Sequence, residues 1–364
     1  MITISLCMIV KNEASVLARC LACAQAFADE IIIVDTGSTD ETKAIAQTFT
    51  DKIYDFQWID DFSAARNFAF SKATGDYQMW LDADDILPDA SIDAINNLKI
   101  NLCPQTDLIT MKYITHFDHN GTPLFTSTRE RLFKCSKNFQ WEDPIHEVIP
   151  MTGQVLHTDI AIHHAKTDQG KARSHDRNLN IYLNLEAKGH LFSPRQLYYF
   201  ARELRDHNQT AKAIYYFERF LATKKGWKED NIAACFTLAS LYEQLNASDK
   251  ILPILLKSFT WDSPRPEICS HIGYYYKKTR DFATALKWFQ LAAILPQDPH
   301  FLGFLMPDYL GYIPHIEASV CAYELGNLPL AIEHNKLAMA HKNTEATQLN
   351  QAFFNSRLAE SPAQ

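Results

Sequence analysis

The stretch MWLDADDILP, residues 79–88, places Asp82, Asp84 and Asp85 close together directly after an apolar run, with Asp89 just beyond. Carboxylates this close repel unless something positive lies between them. An Asp-x-Asp at a strand end suits a hard divalent cation held through oxygen, which in turn neutralises a diphosphate. The same residues would also serve an acidic turn before the helix that follows Pro88, so the motif needs partners. Upstream, Asp35 ends the run DEIIIVD and can accept hydrogen bonds from a nucleobase imide or a ribose hydroxyl. Arg66 and Asn67 in SAARNFAF can reach phosphate or ribose. Downstream, residues 129–150 supply Glu142, Asp143, His146 and Glu147, and DIAIHHAKTD supplies His163 and His164.

The elements that must position these residues alternate in type through residues 1–170. ITISLCMIV, DEIIIVD, KIYDFQW and DYQMWLDAD read as strands; EASVLARCLACAQAF, STDETKAIAQTF and FSAARNFAFSKA read as helices. Ser38 or Thr39 is the expected cap of the second helix, and Asp89 that of the helix after LDADD. The order βαβαβαβ predicts a mainly parallel, doubly wound sheet. Ligands in such sheets bind beyond the carboxyl ends of the strands, where Asn12–Glu13, Asp35, Asp60–Asp61 and Asp82–Asp85 fall. In a strand of period two, Ile160, Ile162 and His164 share a face.

Past residue 192 the grammar changes to helical hairpins with an internal repeat. Segments 200–221, 238–259, 272–293 and 318–339 align, with small residues at Ala201, Ala239, Gly273 and Ser319 and a second set at Ala213, Ile251, Ala285 and Ala331. The offsets are 38, 34 and 46 residues, near the ~34-residue period of tetratricopeptide repeats. The longest offset implies an insertion over residues 297–314. Three or more such units hold a continuous core and form concave surfaces for extended peptides. The expected organisation is a catalytic domain over 1–170, a helical linker over 171–192 and an all-α repeat domain over 193–364.

The bulk composition sets limits. The 364 residues are 47% hydrophobic and 21% charged, with net charge −8, which allows two soluble domains. No large basic block favours nucleic acid. No stretch offers the ~18 uninterrupted apolar residues of a membrane span. MITISLCMIVKNE lacks a basic leader and a small-residue cleavage site, so it reads as a first strand. Eight scattered cysteines, including the Cys20–Cys23 pair inside a helical pattern, read as reduced core residues of a cytoplasmic protein.

The order VKNEASVLARCL, IIIVDTGSTDET, FSAARNFAFSKATGDYQMWLDADD resembles the family 2 glycosyltransferases of the GT-A fold, closely over residues 1–90 and more loosely to residue 170. It is most similar to the branch that carries ARN before TGDY and LDADD and ends in helical repeats. That branch includes the peptide S-glycosyltransferases that modify bacteriocins. The resemblance implies a Rossmann-like domain that performs an inverting, Mn2+- or Mg2+-dependent hexosyl transfer from a nucleotide sugar, usually UDP-linked. A peptide or protein acceptor would be held by the repeats; a lipid-linked or cell-surface glycan acceptor, or a degenerate transferase acting as a binding module, is the alternative, and a homodimer stays open. By motif, Asp35 would contact the base, Asp82 the ribose or donor sugar, and Asp84 the metal, with Asn12, Glu13 and Arg66 beside the donor. The RLFK and IHE segments look like the acceptor side of this branch. There Glu147 is the expected general base, Asp143 the runner-up, and His146 an orienting group. Trp141 offers a flat face to a sugar or anchors the core. His164 would complete the metal site, with His163 as the alternate.

Overall fold

The computed structural model describes the backbone of residues 1–117, 123–165, 168–296 and 306–360. The chain divides into two compact units, Met1–Leu191 and Phe192–Gln364.

In the first unit the chain runs β1 (Ile4–Val10), α1 (Leu17–Ala24), β2 (Glu30–Asp35), α2 (Thr42–Gln47), β3 (Ile53–Asp55), α3 (Phe62–Phe70), β4 (Tyr77–Trp80) and β5 (Asp85–Ile86). It continues through α4 (Asp89–Asn101), β6 (Leu108–Phe117), β7 (Pro123–Lys134), β8 (Val155–His164) and α5 (Asp168–Ala187). One sheet has the order β3-β2-β1-β4-β7-β6-β8-β5. The strands β3, β2, β1 and β4 are parallel, as the alternating pattern predicts. Beyond β4 the sheet is mixed: β7 runs antiparallel to β4 and β6, β6 runs parallel to β8, and β5 is antiparallel to β8. The reason is connection length. Only residues 118–122 separate β6 from β7, too few for the crossover that a parallel pair requires.

Strands β1, β2 and β4 are buried along almost their whole length, because helices cover both faces of that part of the sheet. Ile4, Leu6, Met8 and Val10 of β1 pack with Leu17, Cys20, Leu21 and Ala24 of α1 and Ile95 of α4. Cys7, with Ile32 and Val34 of β2, faces the other way onto Ala69 and Phe70 of α3, Trp80 and Trp141. Trp141 thus proves to be a core anchor, 5% exposed, whose ring meets Trp80 edge-on at 5.2 Å. It has no open face for a sugar. All eight cysteines are free thiols, and Cys7, Cys20, Cys235, Cys269 and Cys321 are buried.

Two helix caps differ from expectation. Helix α2 begins at Thr42, where Asp40 accepts from the Thr42 backbone N–H at 3.1 Å. Ser38 and Thr39 turn instead to Asn12, which donates its N–H to Ser38 Oγ at 2.9 Å and accepts from Thr39 N–H at 2.7 Å. Asp89 is the first residue of α4 rather than its cap, which is Pro88; its charge favours the helix N-terminus.

The second unit consists of α6 (Pro194–Asp206), α7 (Thr210–Ala222), α8 (Lys228–Gln244), α9 (Ser248–Lys257), α10 (Pro266–Lys278), α11 (Phe282–Ile294), α12 (Tyr312–Glu324), α13 (Leu328–His341) and α14 (Glu345–Glu360). Helices α6/α7, α8/α9, α10/α11 and α12/α13 pack as hairpins. Each turn holds one left-handed residue: Asn208 at φ 57°, Asn246 at 56°, Arg280 at 62° and Gly326 at 77°. These turns are 38, 34 and 46 residues apart, the offsets of the small-residue repeat. Each closes with the same bond, from the next N–H to the carbonyl five residues back: Gln209 to Leu204, Ala247 to Tyr242, Asp281 to Tyr276, and Asn327 to Ala322, at 2.8–2.9 Å. The aligned small residues Ala201, Ala239 and Ser319, with Ala213, Ala285 and Ala331, are buried to 2% exposure or less. At Gly273 a Cβ would lie 2.8 Å from the Phe289 ring, so glycine permits the close approach of α10 and α11. Of the expected insertion, residues 297–305 lie outside the described residues.

Candidate functional site

Position and backbone direction bring the acidic strand ends together. Val10 and Asp35 are register partners at the carboxyl ends of β1 and β2. Asp35 is 2% exposed, and its Oδ2 accepts from the N–H groups of Gly37 and Ser38 at 3.1 and 3.0 Å. Its Oδ1 is buried without a hydrogen-bond partner, a costly state that a ligand donor would relieve. Asn12, at φ 56°, ties the loop after β1 to the loop after β2 through Ser38 and Thr39. The Glu13 N–H donates to Thr42 Oγ1 at 2.7 Å, and its carbonyl opens α1 by accepting from Leu17 at 2.9 Å.

Arg66 is the hub of a second cluster. Asp61 caps α3 by accepting from Ala64 N–H at 2.9 Å, which sets Arg66 one turn in. Its guanidinium lies 4.7 and 5.0 Å from the ring centres of Trp80 and Trp141, a favourable arrangement for a buried cation. From there Nε donates to Glu147 Oε1 at 2.7 Å and Nη2 to Asp82 Oδ1 at 2.9 Å. Arg66 thus holds two carboxylates in this structure, where the sequence suggested a reach toward phosphate. Burial would raise the Asp82 pKa, but Arg66 and then Arg131 hold it down to about 2. Asn67, also expected near ribose, is tied to the backbone of Trp141 by two bonds, at 3.0 and 2.8 Å.

The segment that carries Glu147 docks on the start of the same helix. The Phe62 N–H, a donor that the helix N-terminus leaves open, donates to Pro144 O at 2.8 Å, and the Ser63 hydroxyl donates to Asp143 O. Backbone bonds between Glu142 and Val148, at 2.8 and 3.0 Å, close the loop. Asp143 and His146 sit in the left-handed region at φ 71° and 55°, a strain that a fixed loop sustains. The His146 ring stacks on Tyr182 of α5 with centroids 6.2 Å apart. Glu147 is thereby brought to Arg66 and Asp82.

A third cluster forms where β5 pairs with the end of β8. Asp85 is the register partner of His164, and Ala165 N–H donates to Asp84 O at 3.0 Å. One ligand atom each from Asp84, Asp85 and His164 lies within 4.8 Å of the others. His164 Nδ1 is 3.3 Å from Asp84 Oδ1. Burial lowers the His164 pKa, but the bonds and charges of Asp84 and Asp85 outweigh it and bring it to about 9. Oxygen donors with one imidazole suit a divalent cation such as Mn2+. His163, the alternate, alternates away from this face. The cluster contains His164 and not His163.

Three participants were not assigned from sequence. Asp85 is fully buried and pairs with Arg131, also fully buried, at 3.1 Å. Arg131 stacks over Trp80, 3.7 Å from its ring centre, and over Tyr113 at 4.4 Å. Tyr113 donates its hydroxyl to Asp85 Oδ1 at 2.9 Å. The available signal for Tyr113 was strand alternation with Ile109 and Met111. For Arg131 there was none, since a charged residue within RERLF reads as solvated.

In the second unit, Ile251, His271, Tyr274, Tyr275, Lys277 and Lys278 line a cavity of about 470 Å³. Burial lowers the His271 pKa to about 4, so the ring there is neutral at pH 7. No helix among the described residues is long and apolar enough to cross a membrane.

Residues 5–147 match the family model described as Glycosyl transferase family 2. The chain is 39% identical over 149 residues, 41% of its length, to the TPR repeat-containing protein Synpcc7942_0270 of Synechococcus elongatus, of which it covers 36%. It is 26% identical over 259 residues, 67% of its length, to the SPbeta prophage-derived glycosyltransferase SunS of Bacillus subtilis, of which it covers 60%. The chain therefore spans about a third to three-fifths of these curated relatives. Among solved structures, glucosyl-3-phosphoglycerate synthase from Mycobacterium tuberculosis, in complex with Mn2+, UDP and glucosyl-3-phosphoglycerate, aligns at a TM-score of 0.36 and 13% identity, over 53% of this chain and 82% of that one.

Proposed function

Starting from residues 5–147 as a family 2 glycosyl transferase domain, we propose that the protein moves a sugar from a UDP-linked donor to an acceptor, with inversion and with a divalent cation. The observation that carries this reading is the meeting of two clusters after β4. Asp84 and His164 offer cation ligands on one side, and Arg66 joins Asp82 to Glu147 on the other.

The residues divide the work by chemistry. The unpartnered Oδ1 of Asp35 accepts from the base of the nucleotide, with the Asn12–Glu13 loop beside it. Asp82, kept ionised by Arg66, accepts from a hydroxyl of the ribose or the donor sugar. Asp84 and His164 hold Mn2+ or Mg2+, which when bound neutralises charge on the diphosphate. Inverting transfer requires a base on the face opposite the leaving group. Glu147 fills that role, since Arg66 occupies only Oε1 and fixes the carboxylate in one orientation. Asp143, on the same loop, is the runner-up base, and His146 orients the acceptor or donor.

Catalysis is assigned to residues 1–170, with 171–192 as a helical linker and 193–364 as the acceptor-binding repeats. The cavity lined by His271, Tyr274 and Lys277 supports a peptide or protein acceptor, because it combines aromatic faces with polar tips on a repeat array. A cytoplasmic site of action follows from the nucleotide-sugar donor.

The deciding experiment is thermal shift and slow donor hydrolysis with a panel of UDP-sugars and Mn2+. Stabilisation by one donor and metal-dependent hydrolysis are expected. In Asp84→Ala, hydrolysis should fall by at least about two orders of magnitude, with the melting temperature read alongside to separate loss of the ligand from loss of the fold. A protein that neither binds nor hydrolyses any UDP-sugar with Mn2+ or Mg2+ is not this transferase.

A further inference from the structure

The cluster of Asp84, Asp85 and His164 does not offer three equivalent ligands. Asp85 has no exposed side-chain surface. Both of its oxygens are already engaged: Oδ1 accepts from the Tyr113 hydroxyl at 2.9 Å, and Oδ2 accepts from Asp82 N–H at 3.0 Å and from Arg131 Nη1 at 3.1 Å. Asp84 and His164, by contrast, keep side-chain exposures of 17% and 21%. The two nitrogens of His164 also differ. Nδ1 lies 2.7 Å from the Tyr113 hydroxyl oxygen and faces the two carboxylates. Nε2 makes no hydrogen bond among the described residues.

We infer that Asp85 is an anchor rather than a ligand, and that Arg131, Asp85 and Tyr113 form a buried relay which fixes the ring of His164 with Nδ1 inward and Nε2 as its coordinating nitrogen. The proton order follows from the donors present. The Tyr113 hydroxyl gives its hydrogen to Asp85, leaving its oxygen to accept from His164 Nδ1–H. Arg131 fixes the other side of the Asp85 carboxylate by donating to Oδ2 at 3.1 Å, and it is held rigid between the rings of Trp80 and Tyr113. Outer-sphere partners of this kind set the tautomer and direction of a ligating histidine. Tyr113 and Arg131 are therefore positioning residues, and this role rests on the cation-dependent reading given above.

The test reads the metal and the ring directly, on the full chain and without turnover. Mn2+ affinity is measured by electron paramagnetic resonance in the presence of UDP for wild type, Asp84→Ala and Tyr113→Phe. Tyr113→Phe should weaken Mn2+ binding by roughly 10–100-fold, and unchanged affinity overturns the relay. Because that substitution strips a bond from a buried carboxylate, the wild type carries a second readout. With 15N-histidine labelling, and the His164 signals identified by their loss in His164→Gln, Mg2+ with UDP should shift Nε2 and leave Nδ1 protonated. A metal-induced shift at Nδ1 overturns the inference. A wild type that binds no divalent cation with UDP overturns the cation-dependent reading itself, and the relay with it.

Discussion

The two units place their critical side chains by opposite means. In the sheet unit, buried charge does the positioning: Arg66, Arg131, Asp35 and Asp85 are all under 8% exposed, and each pairing occurs once. In the repeat unit, missing volume does it: alanine, serine and glycine recur at fixed offsets, and one turn geometry recurs with them. The first arrangement specifies a site, because an unpaired buried charge admits only one partner geometry. The second specifies a spacing, because any close-packed pair of helices can use it. The sheet unit should therefore be most sensitive to loss of a charge, and the repeat unit to added volume.

The largest expected effect is at the hub. Arg66→Ala leaves the Asp82 and Glu147 carboxylates facing each other without a cation, and such a break costs about 3–5 kcal/mol. Urea denaturation followed in the sheet unit measures it. A loss under about 1 kcal/mol would mean that water already screens the cluster and that charge is not what positions it. Arg66→Lys should recover only part, since an ammonium cannot bridge two carboxylates as the guanidinium fork does.

Next is Glu30, whose side chain is 8% exposed. Burial raises its pKa, but bonds from Lys52, Ser5 and Thr74 outweigh this and lower it to about 2. A folded value below the unfolded one contributes stability at higher pH, and that contribution is lost as pH falls from about 4.5 toward 2. Glu30→Gln should cost roughly 2 kcal/mol at pH 7 and flatten the acid limb of the stability profile. An unchanged limb would remove Glu30 from the charge-positioned set.

Gly273→Ala probes the other unit. Alanine favours the helix by about 1 kcal/mol, but its Cβ would meet the Phe289 ring at 2.8 Å, and overpacking costs about 1–3 kcal/mol. A net loss of roughly 1 kcal/mol in thermal denaturation is expected. A gain would show slack between α10 and α11 and blur the contrast. The smallest effect is at Arg280, which holds the left-handed turn position that asparagine or glycine fills in the other hairpins. Arg280→Gly should stabilise by about 0.5–1 kcal/mol, since the left-handed conformation costs a side chain about 1–2 kcal/mol and glycine's greater chain entropy offsets part of that.

Legibility in the sequence followed the same divide. The repeat was readable because its signal is periodic: the offsets of Ala201, Ala239, Gly273 and Ser319 recur in the turns. The succession of strands and helices along the chain through β4 was readable because apolar runs and helix periods alternate there. What escaped depends on contacts distant in sequence. The place of β7 beside β4 depends on a pairing between residues far apart in the chain, Tyr77 with Lys134. The role of Asp85 depends on Tyr113 and Arg131, which come from two other strands. The burial of Trp141 depends on Phe70 and Trp80. A lone tryptophan or arginine in a sequence carries no mark of which rings will surround it. The acidic strand ends, the Arg66 position and the pair of His164 with Asp84 were nameable in advance, whereas Arg66 bridging Asp82 to Glu147 was visible only in three dimensions.

The four matching turns also bear on how this chain would open. A helix pair closed at its tip by one fixed bond cannot fray from that end, so opening must start at the far ends or take the whole pair. Amide exchange in α6–α7, α8–α9, α10–α11 and α12–α13 would then proceed in two-helix blocks rather than helix by helix. The 46-residue offset from Arg280 to Gly326 leaves both turns intact, so extra length has entered between blocks and not within one. Chain added at that junction would extend the array without altering the cooperative unit.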